Sequence, residues 1–271
     1  MKLTILGSGA WQGIPAPFCL CAVCRLAMEN PNEKNFRMRP QLLIEIEHGA
    51  FLLEVSPDIR VQSTKFHVPP VKDFVVSHWH FDHMYGLHEL LTWMKQLDEK
   101  PTVHCSAGTK EKINQEFAYL PLSAHALRPF EPFMLFDVAI TPLPVYHMFA
   151  RDEAIPDGKL ENTFGYLLER NGKRVAYLAD YYRIPQSTRQ RLQGVDILVA
   201  DGTYLMTHEH EMRKPNHLHG DAIVRFTKST QAKAVYFHSI SHLTGKTHEQ
   251  LQAQLPLAHY LTYDGLQLEL E

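Results

Sequence analysis

Short runs in which apolar and polar residues alternate recur from one end of the chain to the other, and a period of two predicts strands. Residues 3–6 form the first. Residues 42–47 and 51–55 flank the turn His48-Gly49-Ala50 and predict a hairpin. Further short strands are expected over 74–77, 102–106, 133–136, 138–145, 165–169 and 174–178. The apolar runs 197–200 and 234–237 have the form of strands buried on both faces. Near the end, 261–263 and 266–270 flank Asp264-Gly265, a dipeptide suited to a tight hairpin. Leu87, Leu90, Leu91 and Met94 recur at helical spacing within 86–97. Shorter helices are expected over 58–65, 109–117, 185–192, 221–228 and 247–254, with start signals at Thr109, Pro185 and Thr247. Hairpins first, then strand–helix alternation in both halves, predict two β-sheets packed face to face with helices outside. The expected class is α/β, a four-layer αββα sandwich, with residues 1–271 as a single domain. The polar stretches 149–162 and 204–219 are expected as surface loops.

Composition narrows the function classes. Hydrophobic residues make up 45% and charged residues 21%, the values of a globular protein rather than a disordered one. The 27 Lys and Arg against 30 Asp and Glu give a net charge of −3, so no extended nucleic-acid surface is expected. No apolar run reaches the ~18–20 residues of a membrane span. The N-terminal MKLTILGSGAWQG reads as a strand and a glycine turn instead of a signal peptide, which leads to the expectation of a cytoplasmic protein. What departs from average is histidine, with 17. Histidine is the commonest metal ligand and the near-neutral acid and base.

Three of the four cysteines lie within six residues, Cys19-Leu20-Cys21-Ala22-Val23-Cys24. Three thiols so close cannot all pair locally, and a disulfide framework uses spread, even-numbered cysteines. C-x-C-x-x-C instead supplies three thiolates for a structural zinc, with a fourth ligand from elsewhere. Cys105 is expected as a small buried hydrophobe.

The central signal is Ser77-His78-Trp79-His80-Phe81-Asp82-His83 directly after the strand 74–77. Four ligand-type residues in six, H-x-H-x-D-H, emerge where a loop can wrap them around metal. His78 and His80 are two apart, so extended backbone turns both to one side. Asp82 and His83 are placed to serve a second ion about 3.5–4 Å from the first. Other apolar strands also end on one polar residue: His147, Asp180 and His238. Singly, each is as readily a cap or a rim residue. Beside the histidine cluster they become ligand candidates.

These segments resemble the signature of the metallo-β-lactamase superfamily, and the match runs in order over nearly the whole chain. The resemblance implies an αββα sandwich. It also implies that His78, His80 and His147 hold one metal, that Asp82, His83 and His238 hold another, and that Asp180 bridges them. The glycine-rich strand-loop followed by C-x-C-x-x-C is similar to the PhnP-like phosphodiesterases of the carbon–phosphorus lyase pathway. In those, a histidine just after the last catalytic-metal histidine completes a structural zinc. Here Phe237-His238-Ser239-Ile240-Ser241-His242 supplies it, with one extra residue of spacing, so His238 and His242 could exchange roles. The resemblance further implies an acid/base histidine, matched by Asn216-His217, with His219 as competitor. Glu54 stands where the family usually has an Asp that steadies a ligand histidine. The segment Glu54-Val55-Ser56-Pro57-Asp58-Ile59-Arg60 is similar to the pyrroloquinoline quinone biosynthesis B proteins, which depart from the full H-x-H-x-D-H kept here.

The expected function is a metal-dependent hydrolase, foremost a phosphodiesterase on small cyclic phosphates or nucleotides. Its cofactors would be two divalent ions (Zn or Mn) and one structural Zn. Asp82, as a metal ligand, and His217, as the proton donor to the leaving alkoxide, are the expected catalytic residues. The expected partner is a small phosphodiester substrate, with no membrane, and with homodimerisation open. The competing readings are another hydrolase of the superfamily (thioester, lactone or RNA 3′ processing) and a non-catalytic accessory or carrier.

Overall fold

The structure, a computed structural model, describes residues 1–147, 163–207 and 217–270. Its first strands are β1 (Lys2–Gly7), β2 (Gln41–Ile46), β3 (Gly49–Leu53), β4 (Asp73–Val75), β5 (Thr102–Cys105), β6 (Ser123–Ala126) and β7 (Phe133–Leu135). They continue as β8 (Val138–Val145), β9 (Thr163–Arg170), β10 (Lys173–Leu178), β11 (Ile197–Asp201), β12 (Ala234–His238), β13 (His259–Leu261) and β14 (Gln267–Glu269). The helices are α1 (Ala22–Glu29), α2 (Ile59–Lys65), α3 (Phe81–Met84), α4 (Leu91–Met94), α5 (Ala107–Glu116), α6 (Gln186–Arg191), α7 (Asp221–Ser229) and α8 (His248–Gln252). Among the described residues the strands form two sheets, ordered β14-β1-β2-β3-β4-β5-β6 and β13-β12-β11-β10-β9-β8-β7.

Period-two alternation sorts the side chains into layers. Val175 and Tyr177 of β10 face the other sheet, in a core shared with Leu3, Ile5 and Phe51 of that sheet and with Tyr166 of the neighbouring β9. Ala176 and Leu178 face outward, into a second core with Leu192, Ile223, Phe226 and Leu251. The first sheet repeats the pattern: Leu43, Leu52 and Phe74 pack against Ile59, Leu87, Met94 and Ile113. The result is the expected αββα order, with both sheets buried on both faces. Strands β10, β11, β12 and β13 run parallel, with helices α6, α7 and α8 in the three connections between them, and β3 to β6 are parallel too. Carboxyl ends of parallel strands gather at one rim, the usual place for a site in such sheets.

Several expectations need correction. The terminal hairpin around Asp264-Gly265 does not form: β13 joins the second sheet and β14 the first. The Asp264 carboxylate instead accepts from the Ser8 amide (2.9 Å), the Ser8 hydroxyl (2.7 Å) and the Met38 amide (2.7 Å). That anchor pulls the two runs apart, so the turn carries the chain between sheets. The helix expected over 86–97 is interrupted: Tyr85–Leu90 is a 3-10 turn, followed by the short α4. A Cβ on Gly86 would lie 2.0 Å from the Ser56 carbonyl oxygen, so the segment presses closely on the loop after β3. Strand β6 and helices α1 and α3 are additional to the elements read from sequence. The loop expected over 149–162 lies outside the described residues, as does most of 204–219. Among the described residues no helix is long and apolar enough to cross a membrane.

Candidate metal centres

The H-x-H-x-D-H loop leaves β4 and turns into α3, with His80 as its N-cap. Backbone bonds hold the loop to both sheets. The His83 carbonyl accepts from the Val55 amide (2.7 Å), and the Ser77 carbonyl accepts from the Phe164 amide (3.0 Å). The Tyr166 hydroxyl, on β9, donates to the Val76 carbonyl at 2.7 Å. A ligand loop rooted in the first sheet is thereby fixed against the second.

Three ring nitrogens converge there. His78 Nε2 lies 2.9 Å from His80 Nδ1, and His147 Nε2 lies 3.1 Å from the same atom. Asp180 Oδ2 stands 3.8 Å from His78 Nε2 and 3.4 Å from His147 Nε2. His78, His80, His147 and Asp180 thus form one group of ligand-type atoms within 4.8 Å of one another. Asp82, His83 and Asp180 form a second, with His83 Nε2 3.1 Å from Asp82 and 3.5 Å from Asp180. Asp180 belongs to both. These residues are buried except His80, which is half-buried. Zinc takes imidazole and carboxylate atoms at ~2.0–2.2 Å. Ring nitrogens aimed at one point with a carboxylate beside them fit a shared cation. In addition, neither ring nitrogen of buried His83 makes a hydrogen bond.

Electrostatics agree with the donor set at His78 and Asp180. At His83 burial opposes a charge, but Asp82, Glu54 and Asp180 outweigh it and hold the ring well above the ordinary histidine range, so ion binding would have to displace that proton. Burial holds His78 well below the ordinary histidine range, helped by the neighbouring His83, His147 and His80, so its ring is neutral as a ligand requires. For Asp180, burial favours the neutral acid. His217, His83 and His147 outweigh it and keep the carboxyl well below the usual range.

Glu54 occupies the position where a carboxylate was expected to steady a ligand. It is fully buried, with one oxygen 3.4 Å from His83 Nδ1 and the other accepting from the Ser77 amide at 3.1 Å. Its φ of 66° is left-handed, uncommon outside glycine. The chain turns off β3 there and brings the carboxylate under the ligand ring.

His217 lies at the edge of this cluster, its Nε2 3.7 Å from Asp180 Oδ2 and its Nδ1 2.6 Å from Asp201 Oδ2. Asp201 ends β11 and also accepts from the Thr203 amide (2.8 Å) and hydroxyl (2.6 Å). Burial opposes a charge on His217, but Asp201 and Asp180 outweigh it and push it up to about 9. Asp180, Asp201 and His217 make a third close group. Asp201 was not among the sequence candidates. The signal was there, because it is one more polar residue ending a buried strand. Asn216 lies outside the described residues, and the His219 backbone bridges to Tyr204.

His238 is a correction. The structure does not bring it into these groups. It is fully buried, with Nε2 3.1 Å from the Leu178 carbonyl and Nδ1 2.8 Å from the Ser239 hydroxyl. Its ring packs on Tyr177 at 5.0 Å, in the layer between the sheets.

His242 stands instead with Cys19, Cys21 and Cys24, four ligand-type atoms within 4.8 Å. Cys21 caps α1 and Cys24 lies in its first turn, so helix geometry sets two of the thiols. The Cys19 and Cys21 sulfurs lie 3.5 and 3.7 Å from His242 Nδ1. Burial pushes the Cys24 thiol up to about 12, and ion binding would have to displace that proton. Cys105 is buried as expected. His104, His248 and His259 are buried as well, outside the ligand groups.

Comparison with known proteins places this geometry. The profile of the β-lactamase superfamily domain matches residues 50–240. The chain belongs to that family. Among curated relatives, the coenzyme PQQ synthesis protein B of Methylobacterium radiotolerans is 29% identical over 232 residues, 78% of this chain and 75% of that protein. An octanoyltransferase of Porphyromonas gingivalis is 27% identical over 98% of this chain, which spans about half (51%) of that protein. Among solved structures, a diphosphatase of the PhnP family superposes with a TM-score of 0.82 at 28% identity, covering 98% of this chain and 96% of its own. Zinc-bound PqqB of Methylobacterium extorquens superposes at 0.80 over both full chains, and at 21% identity that likeness shows the fold alone.

Proposed function

We propose that the protein is a metal-dependent phosphodiesterase acting on small cyclic phosphates or nucleotides in the cytoplasm. The observation that carries the reading is the convergence of two ligand groups on Asp180, with the His217–Asp201 pair at their edge. In this reading His78, His80 and His147 hold one divalent ion, Asp82 and His83 hold a second, and Asp180 serves both. Zinc or manganese suits these donors, whereas the three thiols and His242 suit a structural zinc. Divalent ions so placed supply Lewis acidity toward a phosphoryl oxygen and acidify water.

The chain's own groups do the rest. Asp201 accepts from His217 Nδ1 and fixes the ring, leaving Nε2 directed toward Asp180. Protonated His217 gives its Nε2 proton to the leaving alkoxide, which needs one because an alkoxide is strongly basic. Thr203 holds the Asp201 carboxylate in place through two donors. The likeness to the PhnP-family diphosphatase supports phosphorus chemistry. The PQQ synthesis B relatives support the second reading, an accessory or carrier in biosynthesis, which predicts metal binding without turnover. Metal analysis paired with bis-p-nitrophenyl phosphate, cyclic nucleotides, a thioester and a lactone separates these readings. Hydrolysis of diesters alone is expected. Turnover of the thioester or lactone instead, or of none of them with the metals in place, rejects the proposal.

A further inference from the structure

Beside the metal centre runs a row of aromatic rings that the chemistry above does not use. Phe81 stands between the ligand-type residues His80 and Asp82 and is 51% exposed. His80 is the most open of the ligand residues, so the row starts where the centre meets solvent. Phe81, Tyr85 and His88 follow at i, i+4 and i+7 along α3 and the 3-10 turn, which sets them on one face. Ring centroids are 5.5 Å apart from Phe81 to Tyr85 and 5.9 Å from Tyr85 to His88. Tyr119, 56% exposed, then stacks on His88 at 5.8 Å with 25° between planes.

The row is rigid. Buried Phe117 lies beneath it, 5.3 Å from Tyr85 and 4.5 Å from His88. The Tyr85 hydroxyl donates to Glu116, and the Tyr119 hydroxyl meets His88 Nδ1. At the metal end the Arg39 guanidinium sits 5.5 Å from the Phe81 ring, held by Asp58 at 2.7 Å and by the Trp11 carbonyl at 2.9 Å. Singly exposed apolar residues are ordinary. A continuous line of rings leading from a ligand pair, with a fixed guanidinium at its head, is a stacking surface.

We propose that this row binds the base of a nucleotide-type phosphodiester. Phe81 and Tyr85 would take the base while the phosphoryl group lies at the metal centre. The inference rests on the phosphodiesterase reading and names its substrate class. A phosphoryl group beside His80 leaves the rest of its ester on the rim where the rings begin. Aromatic faces accept any base, and a guanidinium stacks on planar rings. A sugar phosphate alone has no planar face and gains much less from the rings than a base does. Glu116, at the Tyr85 hydroxyl, and Glu89, next to His88 in the chain, put negative charge along the row. They disfavour a long polyanion, so the substrate class is a mononucleotide diester or dinucleotide.

The test is equilibrium binding of adenosine 5′-monophosphate and ribose 5-phosphate to the metal-loaded protein by calorimetry. The wild type should favour the nucleotide by about tenfold or more, the scale of one stacked base. Phe81→Leu keeps an apolar side chain but no ring face, and should erase most of that preference with metal content unchanged. Phe81→Trp should keep or raise it. Equal binding of the two ligands by the wild type overturns the proposal, and so does a preference that survives Phe81→Leu. The two readings fail separately. Diester hydrolysis without base preference sinks the stacking row, whereas base preference without hydrolysis sinks the phosphodiesterase.

Discussion

The two ligand clusters are built on opposite plans. The His/Asp centre collects side chains from the ends of β4, β8 and β10, with His217 and Asp201 beyond them, and it straddles both sheets. The Cys/His cluster takes three ligands from one six-residue stretch and a fourth from the turn after β12. The first cluster is buried carboxylate and imidazole. In the second, Cys19, Cys21 and His242 are only half-buried and no carboxylate takes part. Opposed charges gathered by the fold suit a reactive centre, because groups of both signs act there at short range. Thiols gathered by a short loop would make a staple on sharing an ion with His242, tying the N-terminal segment to the turn after the second sheet's β12. The difference predicts that damage to the first removes chemistry and that damage to the second removes stability.

The sharpest way to break this contrast is Asp180→Ala. Asp180 belongs to every described His/Asp group, so its loss affects both ligand sets and His217 at once. Hydrolysis should fall by at least about 10³-fold, well beyond the ~10–100-fold typical of groups behind the ligands. The melting temperature should change little, and the zinc of the Cys/His cluster should stay. Elemental analysis and a melting curve on the same sample decide it. Full activity with all ions retained would remove Asp180 from its shared role.

His217→Ala comes next. General acid catalysis is worth ~10²–10⁴-fold, about 3–5 kcal/mol. The loss should appear in full on a cyclic nucleotide, whose leaving alkoxide is strongly basic. It should be much smaller on bis-p-nitrophenyl phosphate, whose phenolate leaves unaided. Asp201→Asn should follow the same pattern more weakly, since an amide cannot hold the ring as a carboxylate does. Equal losses on both substrates would move His217 out of the acid role.

The sequence made much of this legible, for definable reasons. Strands alternate with period two, so the layers could be read directly, and strands buried on both faces ended on polar residues that marked the rim. His147 and Asp180 followed that rule and joined the centre. His238 followed it too and did not. Which ring nitrogens are already occupied depends on the Leu178 carbonyl, 60 residues away, and no linear pattern carries that. The terminal hairpin failed for a similar reason. Its turn chemistry was right, but Asp264 is bound to Ser8 and Met38 at the other end of the chain. Long-range hydrogen bonds decided both cases.

Cys24→Ser tests the other half of the contrast. It takes away the buried thiol of the tetrad and leaves the His/Asp centre untouched. One zinc should be lost, and the melting temperature should drop by about 5 °C or more, at ~2–4 °C per kcal/mol for a chain of this size. Turnover per folded molecule at room temperature should hold. A variant that melts like the wild type with its zinc in place would show that these thiols are not a staple.

The smallest effect expected lies behind the centre, at Glu54. Its carboxylate faces His83 Nδ1 at 3.4 Å with one oxygen and accepts from the Ser77 amide with the other. That arrangement favours the tautomer with the proton on Nδ1 and leaves the Nε2 lone pair toward Asp82 and Asp180. In Glu54→Gln one oxygen becomes an NH2 donor of nearly the same size. If the donor faces His83, it favours the proton on Nε2, where a metal should bind. If it faces Ser77, two donors oppose each other in a fully buried place. Either way affinity at the Asp82–His83 side should fall by ~10–100-fold, while the folded structure and the Cys/His zinc persist. Competition with a graded chelator, following release of each ion, reads this directly. Unchanged affinity would mean that His83 is held by the backbone alone, through its carbonyl and the Val55 amide.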